Sequence, residues 1–302
     1  DNRSAWGLAE QEGFVEDYDV DFFRAWFRLS SSSDNLELRV GRQQILFGAG
    51  VLFRPLGFYD NRVISGIFPQ TVGVDGFRIS WHTDETTTFQ SWLVPAKSET
   101  HMIFGGRCEA LIANLETGIA FQYHPVSNLE NFNSFDKELT QFGFHLKGEL
   151  ELGFWNETRF DLESIAGKSF YRVDSVFGTD YTLNLGQGLH LLLEYIISST
   201  EKGFSVLDSK GDRTIHQLGF QVDQPLGIAT VWRVFSFYDI LDGSFQLAPQ
   251  IEYAFTDQTY LYLQGNLGGS FKDKNMLGRL FRESSVFNGK ESSIGCSMII
   301  FF

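Results

Sequence analysis

Cysteine is nearly missing from this chain of 302 residues: the only two, Cys108 and Cys296, stand far apart, in no CxxC pair and in no Cys-His spacing that would hold zinc or haem. A disulfide-stapled scaffold and a self-contained haem protein are both excluded. Basic residues are scarce as well, with 24 Lys and Arg against 38 Asp and Glu, and the formal charge of -14 opposes the phosphate-neutralising surface on which nucleic-acid affinity depends. No stretch approaches the ~18 consecutive apolar residues of a membrane helix. Nor does any stretch longer than a turn or two repeat with the 3.6-residue helical period. The chain starts at Asp1 with no charged, apolar leader, which leaves either a soluble protein or one that was processed and crosses a membrane without helices. What is abundant is aromatic surface: 16% of the residues, 31 of them Phe, against only 21% charged. A disordered chain lacks the apolar surface to offset its ordering entropy, so this one folds.

The period that does appear is two, the mark of a half-buried strand. Phe23, Ala25, Phe27 and Leu29 share one face while Arg24, Trp26 and Arg28 share the other; Leu191, Leu193, Tyr195 and Ile197 likewise oppose His190 and Glu194. This places strands near 4 to 12, 18 to 30, 36 to 46, 71 to 82, 86 to 95, 101 to 113, 115 to 124 and 138 to 147. A second set falls near 150 to 162, 170 to 185, 188 to 198, 213 to 223, 227 to 239, 243 to 256, 258 to 269 and 291 to 302. Most exceed the roughly 5 to 6 residues usual in soluble sheets, and they are long enough to cross a bilayer at a tilt.

The connections alternate. SSSSDN, HTDET, AN, KGE, LGQG, DQPLG and TDQ are short and rich in turn formers. Between them come mostly longer stretches: 47 to 70, HPVSNLENFNSFD, STEKGFSVLDSKGD and the run before the last strand. An outer-membrane barrel has short periplasmic turns and longer extracellular loops. About sixteen strands in one ring enclose a lumen too wide for side chains to fill, so the apolar face belongs against lipid. The expected fold is therefore all-β: a single closed antiparallel transmembrane β-barrel over residues 1 to 302, with about sixteen strands (fourteen the next choice), short periplasmic turns and long extracellular loops.

At this point the chain resembles a Gram-negative outer-membrane β-barrel of the porin-like kind. The terminal Phe302, preceded by Ile300, Met298 and Ile294, resembles the C-terminal strand signal that the barrel assembly machinery reads. GRQQILFGAGVLFRPLG at 41 to 57 is similar to the GRQ-containing strand and following loop of porin-like and alginate-export-type families, and GTDYTLNLGQGLHLLLEY at 178 to 195 looks like a barrel hairpin. The resemblance implies the bacterial outer membrane as the location, after removal of a signal peptide not present in this chain. It implies lipid, lipopolysaccharide and the assembly machinery as partners, with self-association or a partner protein in the lumen left open.

A charge on the lipid side of a strand costs about 2 to 4 kcal/mol near the midplane, so strand charges are expected in the lumen. The pore-lining candidates are Arg24, Arg28, Arg39, Arg42, Arg78, Arg107, Glu109, Glu157, Arg159, Arg172, Glu194, Arg233 and Glu252. Arg42 breaks the pattern, because the parity of Leu36, Leu38 and Val40 sends it to lipid; a bulge at Gly41 would return it to the lumen. The stretch 48 to 70 is unusually apolar for a surface loop. It either folds into the barrel mouth as a constriction, with Arg54, Asp60 and Arg62 as its polar contacts, or packs on a neighbouring protomer or the rim.

Catalysis is not expected: His82, His101, His124, His145, His190 and His216 are scattered, and none lies in a nucleophile or HExxH context. No metal and no cofactor is expected either, since Glu16, Asp17, Asp19 and Asp21, or Asp208 and Asp212, lack the order of a calcium loop and read as solvated acidic loops. The expected function is an outer-membrane channel for passive diffusion of small hydrophilic solutes or ions, with a weak cation preference from the net charge. The alternative is a structural sheath or anchor enclosing a partner such as a multihaem cytochrome.

Overall fold

The computed structural model describes residues 24–60, 73–96, 101–127, 136–165, 167–201, 213–241, 243–270 and 293–300. Their regular structure is entirely β. The strands are β1 (Ala25–Ser30), β2 (Leu36–Gln43), β3 (Val74–His82), β4 (Thr87–Pro95), β5 (Met102–Ile112), β6 (Leu115–Ser127), β7 (Asp136–Glu149) and β8 (Gly153–Ile165). They continue with β9 (Lys168–Leu183), β10 (Leu189–Thr200), β11 (Arg213–Pro225), β12 (Thr230–Asp239), β13 (Ser244–Thr256), β14 (Thr259–Ser270) and β15 (Ser293–Ile300). All fifteen form one antiparallel sheet in which each strand pairs with its neighbour in sequence. Among the described residues β1 and β15 are the two margins, and no pairing joins them. The expected strand at 4 to 12 and the terminal Phe302 lie outside the described residues.

The connections that begin with Ser31–Asn35 and alternate from there are all tight. The shortest, between β5 and β6, has positive φ at both Ala113 (51°) and Asn114 (65°), the backbone of a two-residue hairpin turn that matches strand twist. At the other end the expectation of longer loops holds for 44–73, 128–135, 201–212 and 271–292 but fails for 166–167 and 240–243. Gly167 (φ 76°) and Gly243 (φ 71°) let the chain reverse there as tightly as at the opposite end.

The two faces of the sheet differ in a way that inverts a soluble fold. One carries Phe27, Ile79, Phe104, Ile119, Phe142, Phe177, Phe220, Ile251 and Met298, all exposed, with Phe27 at 83% and Ile119 at 63%. The other carries Gln43, Gln122, Gln141, Asp161, Glu163, Asp174 and Gln264, none above 6%. Large apolar side chains normally supply the interior, and charged ones are almost never fully buried unless paired. Here the charged face is the inner one.

That face curves around a stretch of the chain's own backbone. After Gln43 the chain leaves the sheet, and residues 44–60 cross the inner side. Gly50 to Phe53 alone meet Glu157 on β8, Glu194 on β10, Gly219 on β11 and Phe237 on β12. One short stretch of the chain thus touches four different strands.

Candidate functional site

The site is the inner face together with the segment that crosses it. Two apolar footholds seat the segment. Ile45, Phe47 and Leu56 pack with Trp92 and Val94 of β4, Ile103 of β5 and Ala120 of β6; Ala49 and Leu52 pack with Trp155, Leu192, Phe235, Phe237 and Ala248 of β8, β10, β12 and β13. Leu56 has no exposure at all, and it rests directly on the β7 backbone at Gly143, where a Cβ would stand 2.0 Å from Leu56 Cδ2. Only glycine admits that approach.

Between the footholds, two carboxylates hold the segment's backbone. Glu194 accepts from the amides of Val51 (2.7 Å), Leu52 (2.9 Å) and Phe53 (2.7 Å) and from Trp155 Nε1 (2.8 Å). Glu157 accepts from the Gly50 amide (2.7 Å) and from the Leu56 amide. Arg159 completes the set by donating to the Pro55 carbonyl at 2.7 Å. Both glutamates are at 0% exposure. A buried carboxylate is tolerated when several donors converge on it, and a segment outside regular structure needs acceptors for its amides. Each solves the other's problem.

Alongside runs a ladder of side-chain hydrogen bonds perpendicular to the strands. Trp92 Nε1 donates to Gln122 (3.0 Å), Gln122 to Gln141 (3.0 Å) and Gln141 to Asp161 (3.1 Å). Arg159 then bridges Asp161 (3.1 Å) to Asp174 (3.0 Å), where Arg172 (2.8 Å) and Ser198 also arrive. Two smaller groups sit further round: His190 between Asp180 (3.2 Å) and Asp223 (2.9 Å), and Arg233 against Glu252 (2.6 Å).

The margin formed by β1 to β3 is different. Arg28, Arg39 and Arg78 surround one carboxylate, Glu37, at 3.8, 2.5 and 3.9 Å. Arg39 stacks on Trp26 at 4.7 Å. Arg24, Arg39 and Arg78 line a cleft of about 360 Å³ together with Gln43 and Gln44.

Of the residues expected to line a pore, Arg28, Arg39, Arg78, Arg107, Glu109, Glu157, Arg159, Arg172, Glu194, Arg233 and Glu252 fall at inner-face register positions, and Arg24 lines the cleft that continues that face. Glu157 and Glu194 reach that face but lie under the segment, away from water. Arg42 is on the other side. The β1–β2 and β2–β3 registers run through Gly41 without a shift, so the expected bulge is not there. Arg42 stays among Leu38 and Val40, and Asp75 neutralises it directly across the strand pair at 2.8 Å. Of the stretch 48 to 70, residues 48–60 lie against the inner face, with Arg54 3.6 Å from Asp60; Arg62 lies outside the described residues. The uncharged members of the ladder, Gln122, Gln141 and Trp92, were missed by a search for charges. Their signal was simple parity, since each occupies the polar face of its strand. The chain matches no protein-family model and no curated protein.

Proposed function

We propose that the sheet closes into a transmembrane barrel of about sixteen strands in the bacterial outer membrane and serves as a passive channel for small hydrophilic solutes or ions, narrowed by residues 44–60. The observation that carries this reading is the inversion of the two faces: a continuous belt of exposed Phe, Ile and Leu outside, guanidinium and carboxylate groups inside. In water such a belt is an aggregation hazard, while in a bilayer it is the lipid contact. Lipid, lipopolysaccharide and the barrel assembly machinery are its partners on this reading, and Phe302 belongs to the signal that the machinery reads. The rival, a sheath around a partner protein, draws less support, because the chain's own segment occupies space that a partner would need. No catalytic role is proposed.

Planar-bilayer recording tests it. The purified chain should give discrete conductance steps alone, and removal of residues 48 to 56 should raise the unit conductance while leaving folded protein recoverable. Folded protein with no conductance would favour the sheath.

A further inference from the structure

Near the Ala113–Asn114 turn, three adjacent strands bring together ligand types that the sequence scatters. Glu109 of β5, Glu116 of β6 and His145 of β7 each offer one ligating atom, and all three atoms lie within 4.8 Å of one another. Register explains the meeting. Glu109 is paired with Gly118 and Gly118 with His145, so these share one rung of the inner face, while Glu116 sits on the next inner rung toward the turn, opposite Lys147. Gly118 is what lets the imidazole lie across β6: a Cβ there would stand 2.2 Å from His145 Cε1.

Neighbouring carboxylates are ordinary on a charged wall. The imidazole is not. His145 is 2% exposed, its Nε2 has no hydrogen-bond partner, and that nitrogen faces Glu116 Oε1 at 3.6 Å, beyond hydrogen-bond reach. A buried polar nitrogen held by nothing nearer than a carboxylate oxygen at 3.6 Å is poorly satisfied, and a cation shared with the carboxylates would satisfy it.

We propose that Glu109, Glu116 and His145 form a binding site for a divalent transition-metal cation of the zinc class, with water in the remaining coordination positions. One imidazole with two carboxylates suits such borderline ions, whereas calcium and magnesium take all-oxygen sites. The surroundings fit. Arg107 holds Glu109 at 2.6 Å, as an outer partner that orients a ligand. Lys147 faces Glu116 from β7, and Glu157 faces His145 from β8 but is already engaged by the segment amides. The Glu116 side chain is 53% exposed, so an ion reaches the site from the inner side without unfolding. Once bound, it ties three neighbouring strands together at their tight-turn end. The inference rests on strand register and holds whether or not the barrel conducts.

The test uses the purified full-length chain in detergent micelles, stripped with a chelator and titrated with Zn2+ by calorimetry, with Co2+ absorption as a report on imidazole coordination. One Zn2+ per chain is expected, unaffected by excess Ca2+. Glu116→Gln should weaken binding by at least about tenfold, His145→Asn should abolish it, and His190→Asn, on a distant part of the wall, should leave it intact. Should His145→Asn fail to fold, Glu116→Gln carries the test alone, since that side chain is half exposed. Absence of bound Zn2+ in the unmodified chain, equal affinity in Glu116→Gln, or displacement by Ca2+ would each overturn the proposal.

Discussion

The inner face has two halves that solve the same problem in opposite ways. Along β7 to β13 two carboxylates, Glu157 and Glu194, are capped by backbone amides of residues 50–56 and never meet solvent, while Asp161, Asp174, Asp223 and Glu252 pair with neighbouring Arg, His and Gln side chains. Along β1 to β3 the arginines outnumber their carboxylate, and exposure falls from the Arg28 side chain at 55% through Arg39 at 27% to Arg78 at 11%. The difference follows from what lies between the charges. In the filled half, Leu192, Phe235, Phe237 and Ala248 interrupt the polar face and give the segment something apolar to bury against. In the open half, Trp26 is the apolar side chain among Arg28, Glu37, Arg39 and Arg78, and the Arg39 guanidinium stacks on it, so the segment finds no such foothold. A polar wall thus takes protein where it is interrupted by apolar side chains and is left to solvent where it is not.

The largest effect expected from breaking this contrast is Glu194→Ala, which strips the acceptor from three segment amides and the Trp155 indole at once. At about 1–3 kcal/mol for each buried donor left unpaired, the segment should detach. Heat-modifiable gel migration should report a large drop in melting temperature, and unit conductance should rise. Next comes Leu56→Ala, which empties a fully buried position over Gly143 and should cost about 2–5 kcal/mol. Its unit conductance should change less than that of Glu194→Ala, because the carboxylate anchors survive.

In the open half, replacing Arg28 and Arg39 by Gln should cost less than about 1 kcal/mol, as partly exposed ion pairs do. Its effect should appear in ion preference instead. The reversal potential in a salt gradient should move toward cations, and the shift should shrink at high salt as screening shortens. The smallest effect belongs to the β3–β4 turn, outside both halves. The Thr86 hydroxyl and then its amide, both 2.7 Å from Asp84, hold that carboxyl down to about 2 from 3.8. A depressed carboxyl stabilises the fold above its ordinary value and loses that contribution as pH falls toward its folded value. Asp84→Asn should therefore lower thermal stability slightly at neutral pH, leave the acid extreme unchanged, and so flatten the acid limb of the profile.

Much of the wall was legible in the sequence, because alternation at period two is imposed directly by the pleat. Fifteen expected strands correspond to β1–β15, with ends differing by a few residues, as in β7, expected at 138 to 147 and found at Asp136–Glu149; the expected start of β1 at 18 lies outside the described residues. The segment was harder to read. Alternation carries on through Ile45 and Phe47, so β2 was extended to 46, yet the chain leaves the sheet after Gln43 and those side chains pack inward on Trp92 and Ile103. Period two cannot distinguish an apolar residue facing lipid from one facing a neighbouring strand's inner side. The anchoring role of Glu157 and Glu194 was invisible for a related reason: the segment amides they hold are more than a hundred residues away, which no side-chain pattern records. The clue that did exist was the presence of Leu192 between His190 and Glu194, and of Phe235 and Phe237 beyond Arg233, on faces otherwise polar.

The claim on which all of this depends is that the apolar face meets lipid and the charged face meets water or the segment. Cys108 and Cys296, both free, are first replaced by Ser, and single cysteines carrying a nitroxide are then placed at Ile119 and Phe220 on one face and at Arg172 and Gln221 on the other. In lipid vesicles, collision rates with oxygen, which concentrates in the bilayer, and with a water-soluble nickel chelate read each side separately. The account predicts oxygen access with chelate exclusion at 119 and 220, and the reverse preference at 172 and 221. Chelate access at 119 and 220 equal to that at 172 and 221 would contradict it.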